Sequence, residues 1–258
     1  MTDAPLAGRG IAITRPVDQA AALTEGISHA GGTPISFPLL TIAPLQDFAA
    51  FDRAIEMLPS CNWIIFISTN AVQQAMPRIA MKFPELPRTL NFAAIGPATA
   101  QELTRYGIAS ILVPATQFDS ESMLALPEFQ DLKQQRVVIA RGVGGRELLA
   151  ETLRARGAEV IFAECYRRVN PQQSAGNLPE LWQNGQLHAM VVTSSEALRN
   201  LLALAHEANW VKKVLICVNH ARIAEAAREN GLRVALADAP GDAAMLQCLI
   251  HHLGKDAL

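Results

Sequence analysis

The chain has 258 residues, half of them hydrophobic, with 22 Lys plus Arg against 24 Asp plus Glu. That length suits two modest α/β domains or one large one, and the balanced charge excludes a protein held to nucleic acid by a broad basic face. No apolar run approaches the ~18 residues that a membrane span needs, so no membrane partner is expected.

The first ten residues, Met1–Gly10, carry no apolar signal core, and a cytoplasmic location is the expectation. The apolar run Ile11–Ile13 then opens the first predicted strand and ends in Thr14-Arg15. Ala20, Leu23, Ile27 and Ala30 recur at helical steps and stop at Gly31-Gly32, as helix C-termini often do. An extended segment, Pro34–Pro44, follows.

Trp63–Ile67 reads as a buried strand leading into Ser68-Thr69-Asn70, a helix start. A further strand, Phe92–Ile95, runs into Gly96-Pro97-Ala98-Thr99 and an Ala-rich helix that closes near Gly107. A helix around Glu121–Leu126, within the connection Phe118–Gln135, precedes the next strand.

From Val137 the pattern repeats. Val137–Arg141 matches Ile11–Arg15, and Leu149 with Leu153 defines a helix that stops at Gly157. The segment Glu159–Val169 is extended, with Val160, Phe162 and Tyr166 read as alternating on one face. Met190–Thr193 and Ser194-Ser195 echo Trp63–Asn70, and Val214–Val218 with Asn219-His220 echoes Phe92–Thr99, its helix closing near Gly231. Positions 13 and 139, and positions 70 and 196, are both 126 apart. The order is A, B, A′, B′. Strands alternating with helices imply a parallel sheet in each half, and the pattern leaves open whether A pairs with B or with B′.

In open parallel sheets, ligands gather where strand C-termini meet helix N-termini. Those ends carry Thr14-Arg15, Ser68-Thr69-Asn70, Gly96 through Thr99, Arg141-Gly142, Ser194-Ser195 and Asn219-His220. Each hydroxyl or amide alone reads first as a helix cap. Six such loops on one implied rim point to an anionic ligand held by hydroxyls and backbone N–H groups.

Gly142-Val143-Gly144-Gly145 resembles a dinucleotide fingerprint only in part, because Glu147 stands where the third glycine belongs. Arg146-Glu147 reads as the first turn of a helix, and Arg167-Arg168 as solvated. Cys61, Cys165, Cys217 and Cys248 are scattered without a metal-binding spacing, and His251-His252 reads as a solvated tail pair, so no metal site and no cofactor is expected.

Arg141-Gly142 through Leu148, then Leu153, Arg156–Val160 and Tyr166, resemble the central motif of uroporphyrinogen-III synthases. Thr14-Arg15-Pro16, Pro38-Leu39-Leu40 with Ile42, Phe66–Val72 and Ile95–Ala100 resemble further signatures of that family, in order along nearly the whole chain. One departure is Asn219-His220-Ala221-Arg222, where many members carry a second Gly-Pro-x-Thr-like turn. No hydroxyl contact carries over to Arg222, and Asn219 is retained as a backbone contact.

The resemblance implies two parallel-sheet α/β domains, one of them discontinuous, joined by a two-stranded extended linker with the active-site cleft between them. It joins A to B′ (1–37 with 171–258) and B to A′ (43–163), leaving 38–42 and 164–170 as linkers. It implies a lyase that cyclises hydroxymethylbilane to uroporphyrinogen III, losing water and inverting ring D through a spiro intermediate. It further implies a monomer that needs no cofactor and receives its substrate by transient hand-over from hydroxymethylbilane synthase. Tyr166 is then the candidate general acid toward the departing hydroxyl, since a phenol holds its proton at neutral pH. Thr14, Arg15, Ser68, Thr69, Asn70, Gly96, Thr99, Arg141, Gly142, Ser194, Ser195 and Asn219 are the candidate substrate contacts.

Two other classes fit the residues less well: a two-domain binding module without chemistry, and a transferase using a nucleotide-activated substrate. Reversible uptake without product would mark the first. Thermal stabilisation by nucleotides would mark the second.

Overall fold

The computed structural model describes residues 4–205 and 208–254; the first residues of the Met1–Gly10 stretch lie outside the described residues. The chain divides into two compact units, Met1–Thr41 with Val169–Leu258, and Ile42–Arg168.

In the first unit, β1 (Gly10–Ile13), β2 (Thr33–Ser36), β9 (Ala189–Val192), β10 (Leu215–Val218) and β11 (Arg233–Leu236) form one sheet in the order β11-β10-β9-β1-β2. Every pairing in it is parallel. Helices α1 (Ala21–His29), α7 (Leu178–Gln183), α8 (Ser195–Ala205), α9 (Ala221–Glu229) and α10 (Asp242–Leu253) accompany it. Two apolar layers result. Met190, Val192, Leu198 and Ile216 fill one, and Ile11, Ile13, Val191 and Leu249 fill the other. Strands buried on both faces read as unbroken apolar runs, and that is how β1 and β9 appear in the sequence.

The second unit holds β3 (Thr41–Ala43) at the edge of a sheet with β4 (Trp63–Phe66), β5 (Asn91–Ala94), β6 (Ile111–Leu112), β7 (Arg136–Gly142) and β8 (Glu159–Val169), in the order β3-β8-β7-β4-β5-β6. The pairings from β8 to β6 are parallel. Its helices are α2 (Ala49–Glu56), α3 (Thr69–Lys82), α4 (Pro97–Thr104), α5 (Ser120–Ala125) and α6 (Leu148–Ala155). Phe51, Phe66, Val72 and Ile79 pack on one face, and Phe129, Ile139, Leu149 and Leu153 on the other.

The repeat explains both sheets. The order β2-β1-β9-β10-β11 corresponds strand for strand to β8-β7-β4-β5-β6. The early copy of the A pattern therefore shares a sheet with the late copy of the B pattern, since β1 pairs with β9 and β7 with β4. Helices α1 and α6 end the same way, at Gly31 (φ 83°) and Gly157 (φ 96°), a left-handed turn that residues with a Cβ adopt at a cost.

Three local features differ from the sequence reading. The segment 164–169 is the second half of β8, paired with β7 as far as Tyr166, so the extended segment begins inside a strand of the second unit's sheet. Helix α6 begins at Leu148, because Gly144 and Gly145 both take positive φ and keep Arg146-Glu147 out of its first turn. His251-His252 is the last turn of α10 and not a tail, with a ring nitrogen of His252 2.9 Å from the carbonyl of Cys248. All four cysteines are free and buried.

Candidate active site

In the second unit the strand ends after β4, β5, β7 and β8 lie on one rim, and a bulge sets its geometry. Arg141 pairs with Glu164, but Gly142 pairs with Tyr166, so Cys165 is an extra residue in β8. Such a bulge turns the following side chain to the other face. Simple alternation puts Tyr166 beside Val160 and Phe162. The structure instead puts both Cys165 and Tyr166 in the layer of Phe66 and Val72.

Tyr166 is fully buried (0% exposed), and its ring packs directly against Gly142. Its hydroxyl is 3.2 Å from Ser68 Oγ and accepts a hydrogen bond from Arg168 Nη2 at 3.0 Å. The Arg168 guanidinium also stands 5.3 Å from the ring centroid. The Tyr166 hydroxyl thus has a partner on each side and no exposed surface. Ser68 caps α3, accepting from the Ala71 N–H at 3.1 Å, with Thr69 and Asn70 as the first residues of that helix. Cys165 gives its thiol hydrogen to the carbonyls of Arg141 and Ala71, and burial pushes its pKa up to about 12.

Arg141 is only 2% exposed and works inward. It donates to the carbonyls of Gly142 and Gly144 and to Glu147, and its guanidinium stacks 4.6 Å from the Phe162 centroid. A side chain so occupied holds the glycine loop in shape; it does not present a free fork to a carboxylate. Gly96 caps α4 and fits closely under Phe118, whose Cβ would lie 3.0 Å from an added methyl. Thr99 is 4% exposed within α4, so its hydroxyl is not on the open rim.

A pocket of about 240 Å³ opens on the same rim, floored by Ile139 and Phe162 and walled by Gly144, Asp119, Arg146 and Arg168. Asp119 caps α5 by accepting from the Ser122 N–H, which holds its carboxyl below the usual range. The volume is less than the several hundred Å³ that encloses a drug-sized ligand, and suits one substituted ring of a larger molecule. The sequence reading passed over Arg146 and Arg168 as a helix turn and a solvated pair. The available signal was proximity: Arg168 is two residues past Tyr166 in the same strand, within reach of its hydroxyl.

In the first unit the corresponding rim carries Ser194, whose Oγ accepts from the Ala197 N–H at 3.0 Å, and Ser195, the first residue of α8. Asn219 precedes α9, and its Oδ1 is buried without a hydrogen-bond partner among the described residues. Thr14 is wholly buried and donates to the Val191 carbonyl at 2.7 Å, tying β1 to β9. Arg15 is paired with Asp242 at the start of α10. The hydroxyl of Thr14 is thus committed to the sheet, and the charge of Arg15 is already partnered.

Two parallel sheets flanked by helices, with polar helix starts at their rims, define a protein of the two-unit α/β class. A family model described as uroporphyrinogen-III synthase HemD matches residues 21–247. The uroporphyrinogen-III synthase of Escherichia coli K12 is 32% identical over 243 residues, 93% of this chain and 99% of that protein. That of Proteus mirabilis is 34% identical over 193 residues, 75% of this chain and 97% of its own length. The chain belongs to the uroporphyrinogen-III synthase family. Among solved structures, a mutant uroporphyrinogen III synthase from Thermus thermophilus shares the fold with a TM-score of 0.63 at 19% identity, covering 93% of this chain and 96% of that one. The Helicobacter pylori enzyme does so at 0.56 and 15%, covering 93% and 97%.

Proposed function

We infer that this chain cyclises hydroxymethylbilane to uroporphyrinogen III, with loss of water and inversion of ring D, in tetrapyrrole biosynthesis. The observation that carries the reading is the family match through residues 21–247, which takes in strands and helices of both units. The rim chemistry agrees with it. The substrate bears many carboxylates, and capped helix starts at Ser68, Gly96 and Ser194 offer N–H groups and positive dipole ends to anions.

Loss of the terminal hydroxyl as water gives an electrophilic azafulvene, and ring D attacks through its substituted carbon. The spiro intermediate then opens and recloses with the ring inverted. Because a free bilane can close without inversion, the enzyme's task is chiefly to hold the chain bent, and positioning of this kind supplies much of a catalysed rate. Thr69, Asn70, Gly96, Ser194, Ser195 and Asn219 are the proposed carboxylate anchors, and Ser68 the proposed contact to the departing hydroxyl. Thr14, Arg15, Thr99, Arg141 and Gly142 serve by shaping the rims. Tyr166 is the proposed general acid behind the departing hydroxyl, acting by way of its neighbour Ser68.

We also propose that the protein works in the cytoplasm as a monomer and takes its unstable substrate by transient hand-over from hydroxymethylbilane synthase. Among the described residues no helix is long and apolar enough to cross a membrane. The test is to supply fresh hydroxymethylbilane, oxidise the product and separate porphyrin isomers. Predominantly type III product above a protein-free control giving type I is the expected result; type I alone from folded protein would overturn the reading.

A further inference from the structure

We propose that Ser68 is the catalytic residue that hands over the proton, and that Tyr166 and Arg168 are positioning residues behind it in a three-member relay. The inference rests on the activity proposed above and follows from hydrogen-bond accounting.

The Tyr166 hydroxyl has two partners among the described residues, Ser68 Oγ at 3.2 Å and Arg168 Nη2 at 3.0 Å. A guanidinium only donates, so the phenol oxygen accepts from Arg168. Tyr166 is fully buried, and a buried O–H without an acceptor is costly. Its proton therefore points at Ser68 Oγ. That oxygen already accepts from the Ala71 N–H at 3.1 Å. With both acceptor positions filled, Ser68 retains one free capability, its own O–H, as a donor. Ser68 is half-buried at the end of β4, on the rim where the ligand is proposed to bind. The direction of the whole chain is thus fixed from Arg168 through Tyr166 to Ser68 and outward.

The step balances. The Ser68 O–H bond breaks as the terminal C–O bond of the bilane breaks, and water leaves with that proton. The pyrrole nitrogen supplies the electron pair for the new exocyclic double bond. Tyr166 returns a proton to Ser68, and the phenolate that remains sits beside the Arg168 guanidinium. The pyrrole N–H proton given up in forming the azafulvene restores the phenol through Ser68.

The test measures kcat and KM for type III product in Ser68→Asn, Ser68→Thr, Tyr166→Phe, Arg168→Gln and Arg168→Lys. Asparagine still caps α3, so Ser68→Asn keeps the fold while losing the transferable proton. Expected are a fall of about a hundredfold or more in kcat for Ser68→Asn, recovery in Ser68→Thr, and no further loss when Tyr166→Phe is added to Ser68→Asn. Arg168→Gln should lower kcat about tenfold at unchanged KM, with Arg168→Lys recovering it; a raised KM instead would make Arg168 a carboxylate anchor and remove it from the relay. Undiminished kcat in Ser68→Asn, with type III product from the wild type, would overturn the relay alone. Absence of type III product from the wild type would overturn the activity and the relay together.

Discussion

Gly142 and Tyr166 are matched at the limit of atomic contact: a Cβ on Gly142 would come within 2.6 Å of Tyr166 Cε2 and 2.7 Å of Cζ. The bulge that opposes these two residues makes the match possible, and the glycine makes room for the ring. Gly142→Ala should cost about 1–3 kcal/mol, as overpacking does, and push the phenol off Ser68. Urea unfolding would show the first effect. A loss on the order of a hundredfold in turnover would show the second, as a misplacement of about 1 Å does elsewhere. Full turnover at reduced stability would mean that the ring position does not matter to the chemistry.

Arg141 lies beneath the glycine loop with its fork directed at two carbonyls and Glu147. Arg141→Met should leave those carbonyls unpartnered and destabilise the protein by roughly 1–3 kcal/mol. Arg141→Lys should not restore it, because a single ammonium cannot reproduce a planar fork. Both are read from denaturant midpoints. A stable Arg141→Lys variant with weakened substrate binding would return this residue to the set of anchors.

Ser194 has two separable tasks. Ser194→Ala should lose the cap on α8 and about 1 kcal/mol of stability. Ser194→Asp keeps a capping oxygen at a helix N-terminus, where negative charge is favourable, yet places that charge where a carboxylate is proposed to bind. Wild-type stability with KM raised tenfold or more is expected for the aspartate. An unchanged KM would leave Ser194 as a cap alone.

His188 makes stability depend on pH. Its Nδ1 accepts from the Gly10 N–H at 3.1 Å, and burial, followed by the nearby charge of Arg9, lowers its pKa below the ordinary 6.5. Above 6.5 both folded and unfolded chains are neutral here and the bond is intact. Below it the unfolded chain takes up the proton first, so stability falls with pH until the folded pKa is passed and then levels off. Unfolding free energies measured from pH 8 down to 5 should show this decline, and His188→Gln should flatten it. An equal decline in the variant would assign it to other groups.

The parallel α/β class was legible because the buried strands Ile64–Phe66, Val138–Ala140 and Met190–Val192 are continuous apolar runs, the first and last leading into polar helix starts and the second into a glycine loop before its helix. The doubling at a spacing of 126 was legible for the same reason. The bulge in β8 was not, since an extra residue leaves no mark in a pattern of two, and it moves Tyr166 to the opposite face. The rim candidates were found by residue type, which cannot tell a hydroxyl facing outward from one spent on its neighbour. Thr14 bonds back to Val191 and Ser68 caps α3, yet both read alike as hydroxyls at a strand end.

The partnership of β1 with β9 bears on how the molecule is made. During synthesis β1 and β2 emerge first, but the strand that must lie beside β1 appears only after all of Ile42–Arg168 has been translated. At ~5–20 residues per second that interval is on the order of ten seconds. The inserted unit, whose chain is continuous, can collapse on the ribosome meanwhile, whereas the apolar edge of β1 has no native neighbour. Chaperone dependence should therefore concentrate in the first forty residues, and a circular permutant that begins at β3 and joins α10 to β1 would release it by making both units contiguous.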